Sequence, residues 1–172
     1  MRRISCFFMI ILMLVSCKKE REINNFTEIT HYFIDSEIGN KNDTIKRFNE
    51  IFSSVYGHKI NFQTFENELI SYGYNKNIKS AEKIRNIDEF ITNDIYYESH
   101  LTACIPSYRD VLILKKNNKI VNVLKLCFEC GMIDKYGGLK SNCEKVVDFE
   151  TYFLNFADFY KTLHGSTYES EY

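Results

Sequence analysis

Tryptophan is absent from this 172-residue chain, proline occurs once and glycine seven times. So few breakers exclude a Pro- or Gly-rich linker architecture. No internal repeat is visible, which argues against a solenoid. There is no HExxH pair, no Gly-rich phosphate loop and no GxSxG elbow, so the common signatures of zinc proteases, nucleotide-binding enzymes and serine hydrolases are missing. Charge of either sign is not in excess: 22 basic residues face 23 acidic ones, for a net charge of -1. Without a basic stripe, nucleic acid is not an expected partner. What is present is a globular composition, 45% hydrophobic, 15% aromatic and 26% charged, with the aromatics all Phe or Tyr. The length suits one domain with a single core.

Residues 1–17 read MRRISCFFMIILMLVSC. Arg2 and Arg3 precede an apolar run from Ile4 to Val15 of about a dozen residues, a signal-peptide length rather than the roughly 20 of a membrane-spanning helix. The run ends in Leu14-Val15-Ser16-Cys17. This resembles the lipobox of bacterial lipoproteins, with an aliphatic residue at -3, a small residue at -1 and cysteine at +1. The resemblance implies cleavage between Ser16 and Cys17, a thioether-linked diacylglycerol on Cys17, and acylation (a palmitate-type chain) of the new amine. Two or three chains, at about 0.8 kcal/mol per buried methylene, anchor stably where one does not. An uncleaved anchor or an ordinary signal peptide is the competing reading, but an ordinary peptidase favours a small residue where Leu14 stands. Cys6 falls in the discarded leader. Removing residues 1–16 leaves 20 basic and 23 acidic residues, near -3. Residues 17–25 then form a polar, lipidated tether. Lys18 takes the place where an aspartate retains enterobacterial lipoproteins in the inner membrane, so the resemblance implies the outer membrane, on its periplasmic face or at the cell surface. The charged tether also resembles the surface-export tether of Bacteroidota lipoproteins.

Residues 26–164 are expected to form a single α+β domain, with 165–172 a frayed tail. Ile29 to Ile34 is β-branched and aromatic and reads as a strand. Ile45, Phe48, Ile51, Phe52 and Val55 recur at helical spacing over about 44–56, ended by Gly57. Residues 60–74 fit a helix through Phe62, Phe65, Leu69 and Tyr72, although the early part also fits a strand. Ser80 opens another helix on Ala81, Ile84, Ile87 and Ile91. A hairpin over about 109–127 is the clearest local structure. Asn117-Asn118 tolerates the left-handed angles of a tight turn. A plain two-residue turn would pair Leu114 with Val121, Leu112 with Val123 and Asp110 with Lys125, and both faces would be largely apolar. Such a pair is usually central in its sheet or covered on both sides. From Phe149 to Leu163 a wide aromatic stripe predicts a C-terminal helix packed on the sheet, a partner groove being the alternative.

Cys104, Cys127, Cys130 and Cys143 remain in the mature domain. An even number in an exported chain points to disulfides, and four allow three full pairings. Extending the hairpin places Cys104 opposite Gly131, one step from Cys130, so a Cys104–Cys130 bridge fits; Cys143 then nears Cys127 only if 131–142 folds back. Cys127-Phe-Glu-Cys130 also reads as CxxC. A thioredoxin-type dithiol would need a helix starting there, which Gly131, Gly137 and Gly138 disfavour, and its cis-proline should follow rather than precede, as Pro106 does. A structural zinc site on the four cysteines would normally show two CxxC knuckles, and only one is present. Reduced, buried cysteine is the remaining possibility. Cys104-Ile-Pro-Ser-Tyr-Arg followed by a hairpin and Leu126-Cys-Phe-Glu-Cys130 resembles a pattern of small Bacteroidota lipoproteins, covering about thirty residues and carrying no activity.

His31, His58, His100 and His164 are scattered without metal-ligand spacing, and His100 near Cys104 is a weak base–nucleophile pair. Asp88, Glu89 and Asp94 fall on or beside a solvated helix face. No cofactor is expected, structural zinc aside. The sequence therefore points to a lipid-anchored, non-enzymatic binding module with a protein partner, of which an immunity or inhibitor role is one version. Thiol–disulfide exchange at Cys127 and Cys130 is the enzymatic alternative.

Overall fold

The computed structural model describes residues 26–35, 46–53, 59–93, 95–96, 105–138, 145–146 and 148–165. The expected leader, the lipidated tether, most of the tail, Cys104 and Cys143 lie outside these. The fold is α+β, as the sequence implies. Five strands form one antiparallel sheet in the order β2-β1-β4-β5-β6, built from β1 (Glu28–Phe33), β2 (Asn75–Ile78), β4 (Asp110–Lys116), β5 (Lys119–Cys127) and β6 (Met132–Gly137). A separate parallel pair joins β3 (Ile95–Tyr96) to β7 (Lys145–Val146). The helices are α1 (Lys46–Phe52), α2 (Phe65–Ser71), α3 (Ala81–Asn93) and α4 (Phe149–His164). Among the described residues no helix is long and apolar enough to cross a membrane.

Central strand β4 is buried from Asp110 to Leu114 because helices cover both faces of the sheet. On one face, Tyr32, Val111, Ile113 and Val123 pack with Phe48 and Ile51 of α1 and Phe65 and Leu69 of α2. On the other, Ile29, Leu112, Leu124 and Leu126 pack with Ile87 and Ile91 of α3 and Phe156, Phe159 and Leu163 of α4. Burying both faces explains why the hairpin strands read as continuous apolar runs rather than alternating ones. The aromatic stripe of α4 does meet the sheet and α3: Phe159 stacks on Phe90 with ring centroids 3.8 Å apart. Asp148 caps α4, its carboxylate accepting from the Thr151 amide at 2.8 Å.

The hairpin turn is as expected. Asn117 and Asn118 take φ of 51° and 60°, the left-handed pair of a type I′ turn. The register is not. Lys116 faces Lys119 and Lys115 faces Ile120, but Leu114 then faces Asn122, leaving Val121 as an extra residue in a β-bulge. Beyond it every expected pair is displaced by one: Leu112 faces Leu124, Ile113 faces Val123, and Asp110 faces Leu126 rather than Lys125. The reason lies on the neighbouring strand. Gly137 of β6, at φ 111°, closes on the bulge so tightly that a Cβ there would sit 2.3 Å from the Val121 carbonyl oxygen. The bulge separates the acid from the base, sending Asp110 to the α3/α4 face and Lys125 to the α1/α2 face. Segment 60–74 resolves as a helix only over α2. Strand β2 was not foreseen, because its NKNI sequence is largely polar and lies exposed at the sheet edge.

Candidate functional site

Two buried polar clusters occupy the two faces of the sheet, and the cysteine turn lies at its end. The first cluster is made of His31 from β1, Asp110 from β4 and His164, the last residue of α4. Because β1 and β4 are paired, with His31 opposite Leu112, His31 and Asp110 fall on the same face. The Nε2 atoms of His31 and His164 lie 2.6 Å and 2.7 Å from one oxygen, Oδ1 of Asp110. Both imidazoles thus donate to a single carboxylate oxygen. Asp110 and His31 are buried, while the His164 side chain is 19% exposed, making it the cluster's solvent-facing member. Phe33 and Phe128 contact His164 edge-on, Phe33 also lies tilted against His31, and Tyr160 stacks on His164 at 4.2 Å. Burial lowers the His31 pKa by disfavouring its cation, against the pull of the Asp110 carboxylate. Burial alone would raise Asp110, but the bonds from His164 and His31 hold it below the ordinary carboxylate range. His31 Nδ1 is buried with no hydrogen-bond partner among the described residues.

Lys79 borders this cluster. Its Nζ donates to the Leu163 carbonyl at 2.6 Å, satisfying one of the orphan oxygens at the end of α4. Burial, with the neighbouring Lys83 charge, brings its pKa down to about 8. Across the sheet, Lys125 does the same for α1. It is fully buried, donates to the Ile51 carbonyl at 2.8 Å, sits 4.3 Å above the Tyr108 ring and lies 3.6 Å from Asp134. Its pKa is likewise pulled down to about 8, by burial. Each face therefore carries one buried lysine at a helix C-terminus, where the helix dipole is negative. Helix α2 is tied down by Glu66, which accepts from Tyr32 at 2.6 Å and pairs with Lys115 at 2.8 Å. Arg47 of α1 pairs with Glu68 of α2 at 2.6 Å.

At the end of β5, Cys127 is a buried free thiol and Cys130 is disulfide-bonded. Cys130's bonding partner lies outside the described residues, as do Ser16, Cys17, Cys104 and Cys143. The CxxC residues are therefore not bonded to each other. Burial pushes the Cys127 thiol up, which keeps it protonated and slows attack on other sulfurs. Its sulfur accepts from the Ser107 amide at 3.4 Å and lies 3.6 Å from Glu129, which is held in turn by Arg109 at 2.5 Å. The turn that follows is fixed by Gly131, at φ 60°, whose carbonyl accepts from the Tyr152 hydroxyl of α4. A Cβ on Gly131 would meet Tyr152 and Phe153 at 3.0 Å and 3.1 Å.

Of the four histidines, the fold brings His31 and His164 together, while His58 and His100 lie outside the described residues. Of the carboxylates expected on a solvated face of α3, Glu89 is exposed, Asp88 is half-buried, and Asp94 lies outside the described residues. Sequence spacing had no means of joining the three, since Asp110 lies 79 residues from His31 and 54 from His164. The available signal was a histidine and an aspartate inside otherwise apolar strands. The class defined at this point is an α+β domain with a helix-covered antiparallel sheet. Comparison with family models, with curated proteins and with solved structures finds no match to the chain.

Proposed function

We propose that the chain is a bacterial lipoprotein, cut between Ser16 and Cys17 and held by lipid on Cys17 in the outer membrane of a Gram-negative envelope. Its α+β domain then acts as a non-enzymatic protein-binding module, of the immunity or inhibitor kind. The observation that carries the export half is the disulfide at Cys130. Such bonds persist in oxidising compartments and are rare in the cytosol, and this argument is independent of the leader. The binding half is supported by how the polar groups are used. Glu66, Arg47, Lys79 and Lys125 are engaged in fastening helices to the sheet. Among the described residues β2 and β6 stand at the two edges of the sheet, the kind of strand beside which an extended partner segment pairs.

Thiol–disulfide exchange is the second reading, favoured by a free Cys127 three residues from disulfide-bonded Cys130. The raised thiol pKa of Cys127 weighs against it. Intact mass spectrometry of the protein from its native membrane, before and after reduction and alkylation, tests both. A chain that begins at Cys17 and carries acyl groups is the expected result. An unmodified or uncleaved chain would sink the lipoprotein reading. Cys127 should resist alkylation until the protein is unfolded, and Cys130 until it is reduced. Rapid alkylation of Cys127 in the folded protein would favour the exchange reading.

A further inference from the structure

We propose that His31, Asp110 and His164 form a binding site for one divalent transition-metal ion, with zinc the best match to two imidazole nitrogens and one carboxylate oxygen. Three elements far apart in sequence deliver three donor atoms to one point, and those atoms all lie within 4.8 Å of one another. Zinc holds imidazole nitrogen and carboxylate oxygen at about 2.0–2.2 Å in tetrahedral geometry, which spaces the donors about 3.3 Å apart. The present separations from Asp110 are 2.6 Å and 2.7 Å. The donors must therefore open by roughly 0.6 Å to admit such an ion. His164 is the member able to move. It is the last residue of α4, followed by Gly165 in a left-handed conformation, and it is the one partly exposed member of the three. Its movement opens one separation, and rotation of the Asp110 carboxylate must open the other, to His31. The same exposure gives the ion a way in and leaves a coordination position open to water.

The surroundings work in both directions. Phe33, Phe128 and Tyr160 pack against the imidazole rings and give the site a largely aromatic wall. Each imidazole must carry its proton on Nδ1 when Nε2 ligates, so the buried Nδ1 of His31 exchanges an unfilled acceptor role for an unfilled donor role, with no net gain. The ammonium of Lys79, anchored on the Leu163 carbonyl, opposes a second cation beside Asp110. Affinity is thus limited by Lys79, which gives the site a signature that a merely structural hydrogen-bond cluster would not have.

The test uses the full chain in detergent, free of any polyhistidine tag, stripped with chelator and titrated with zinc chloride. One zinc per chain is expected, along with a thermal midpoint raised by roughly 5–10 °C at a hundredfold excess over the dissociation constant. Cobalt substituted for zinc should give a d–d spectrum without thiolate charge transfer, which separates this site from Cys127. His164→Gln, at the exposed end of α4, should retain the fold by circular dichroism and bind zinc more than about 100-fold more weakly, since second-shell losses alone cost 10–100-fold. Asp110→Asn should behave likewise, and Lys79→Met should bind more tightly than the parent. Absence of saturable zinc binding by the parent protein would overturn the proposal. Binding of equal strength by the parent and by folded His164→Gln would also overturn it.

Discussion

Single positions in this molecule carry constraints that their neighbours do not. Gly131 combines a positive φ with direct contact against Tyr152 and Phe153 of α4. Gly131→Ala should therefore cost about 1–3 kcal/mol, from backbone strain together with displacement of those rings. Urea unfolding would measure it, and an unchanged midpoint would mean that α4 yields at no cost. Lys125 and Lys79 make a pH prediction. Both have pKa values near 8, below the 10.5 of an unfolded lysine. Between those values the folded state binds fewer protons than the unfolded state, so stability rises with pH from about 8 towards 10. Below 8 both amines are protonated in either state and the full cost of burying two ammonium groups remains. Thermal unfolding across pH 7 to 10 should show a midpoint that climbs, and Lys125→Met should flatten part of the climb. Cys127, its thiol held protonated by burial, opposes part of the climb above its ordinary pKa of 9, and the buried tyrosines do so above theirs of 10.

Among the elements, those with a strong local pattern were legible and those without were not. Helix α4 announces itself through Phe156, Phe159 and Leu163 at helical spacing, and α3 through Ile84, Ile87 and Ile91. The hairpin turn is legible because two consecutive asparagines tolerate left-handed angles. Strand β2 is illegible because an exposed edge strand needs no alternation, and its four residues, three of them polar, are held in the sheet by pairing with β1. The bulge at Val121 is illegible because its cause, the approach of Gly137, lies on another strand. Two measurements probe this scale. Phe159→Ala removes the ring stacked on Phe90 between α3 and α4 and should cost about 3–5 kcal/mol in denaturant unfolding. Asn118→Gly suits the second position of a type I′ turn better than asparagine does, and should raise the thermal midpoint by roughly 1–3 °C. A fall instead would show that the Asn118 side chain contributes more than its backbone strain costs.

At the scale of the whole molecule, the α+β class was legible because the apolar runs of β4 and β5 require cover on both faces. The His31–Asp110–His164 cluster was not, since it depends on which strands pair and on where α4 ends. The hairpin register carried a specific error: a plain ladder paired Asp110 with Lys125, whereas the bulge sends them to opposite sides, one to the histidines and the other to the end of α1. That same bulge has a consequence for how the chain tolerates changes of length. Val121 is the residue the ladder leaves over, so its deletion would place Ile120 and Asn122 in consecutive pairs with Lys115 and Leu114, and no side chain would change face. Deleting any residue from Val123 to Leu126 would instead turn part of β5 inside out, exposing core residues and burying their neighbours. Along this strand the chain can be shortened without inverting its core at the one step where its pairing is already uneven.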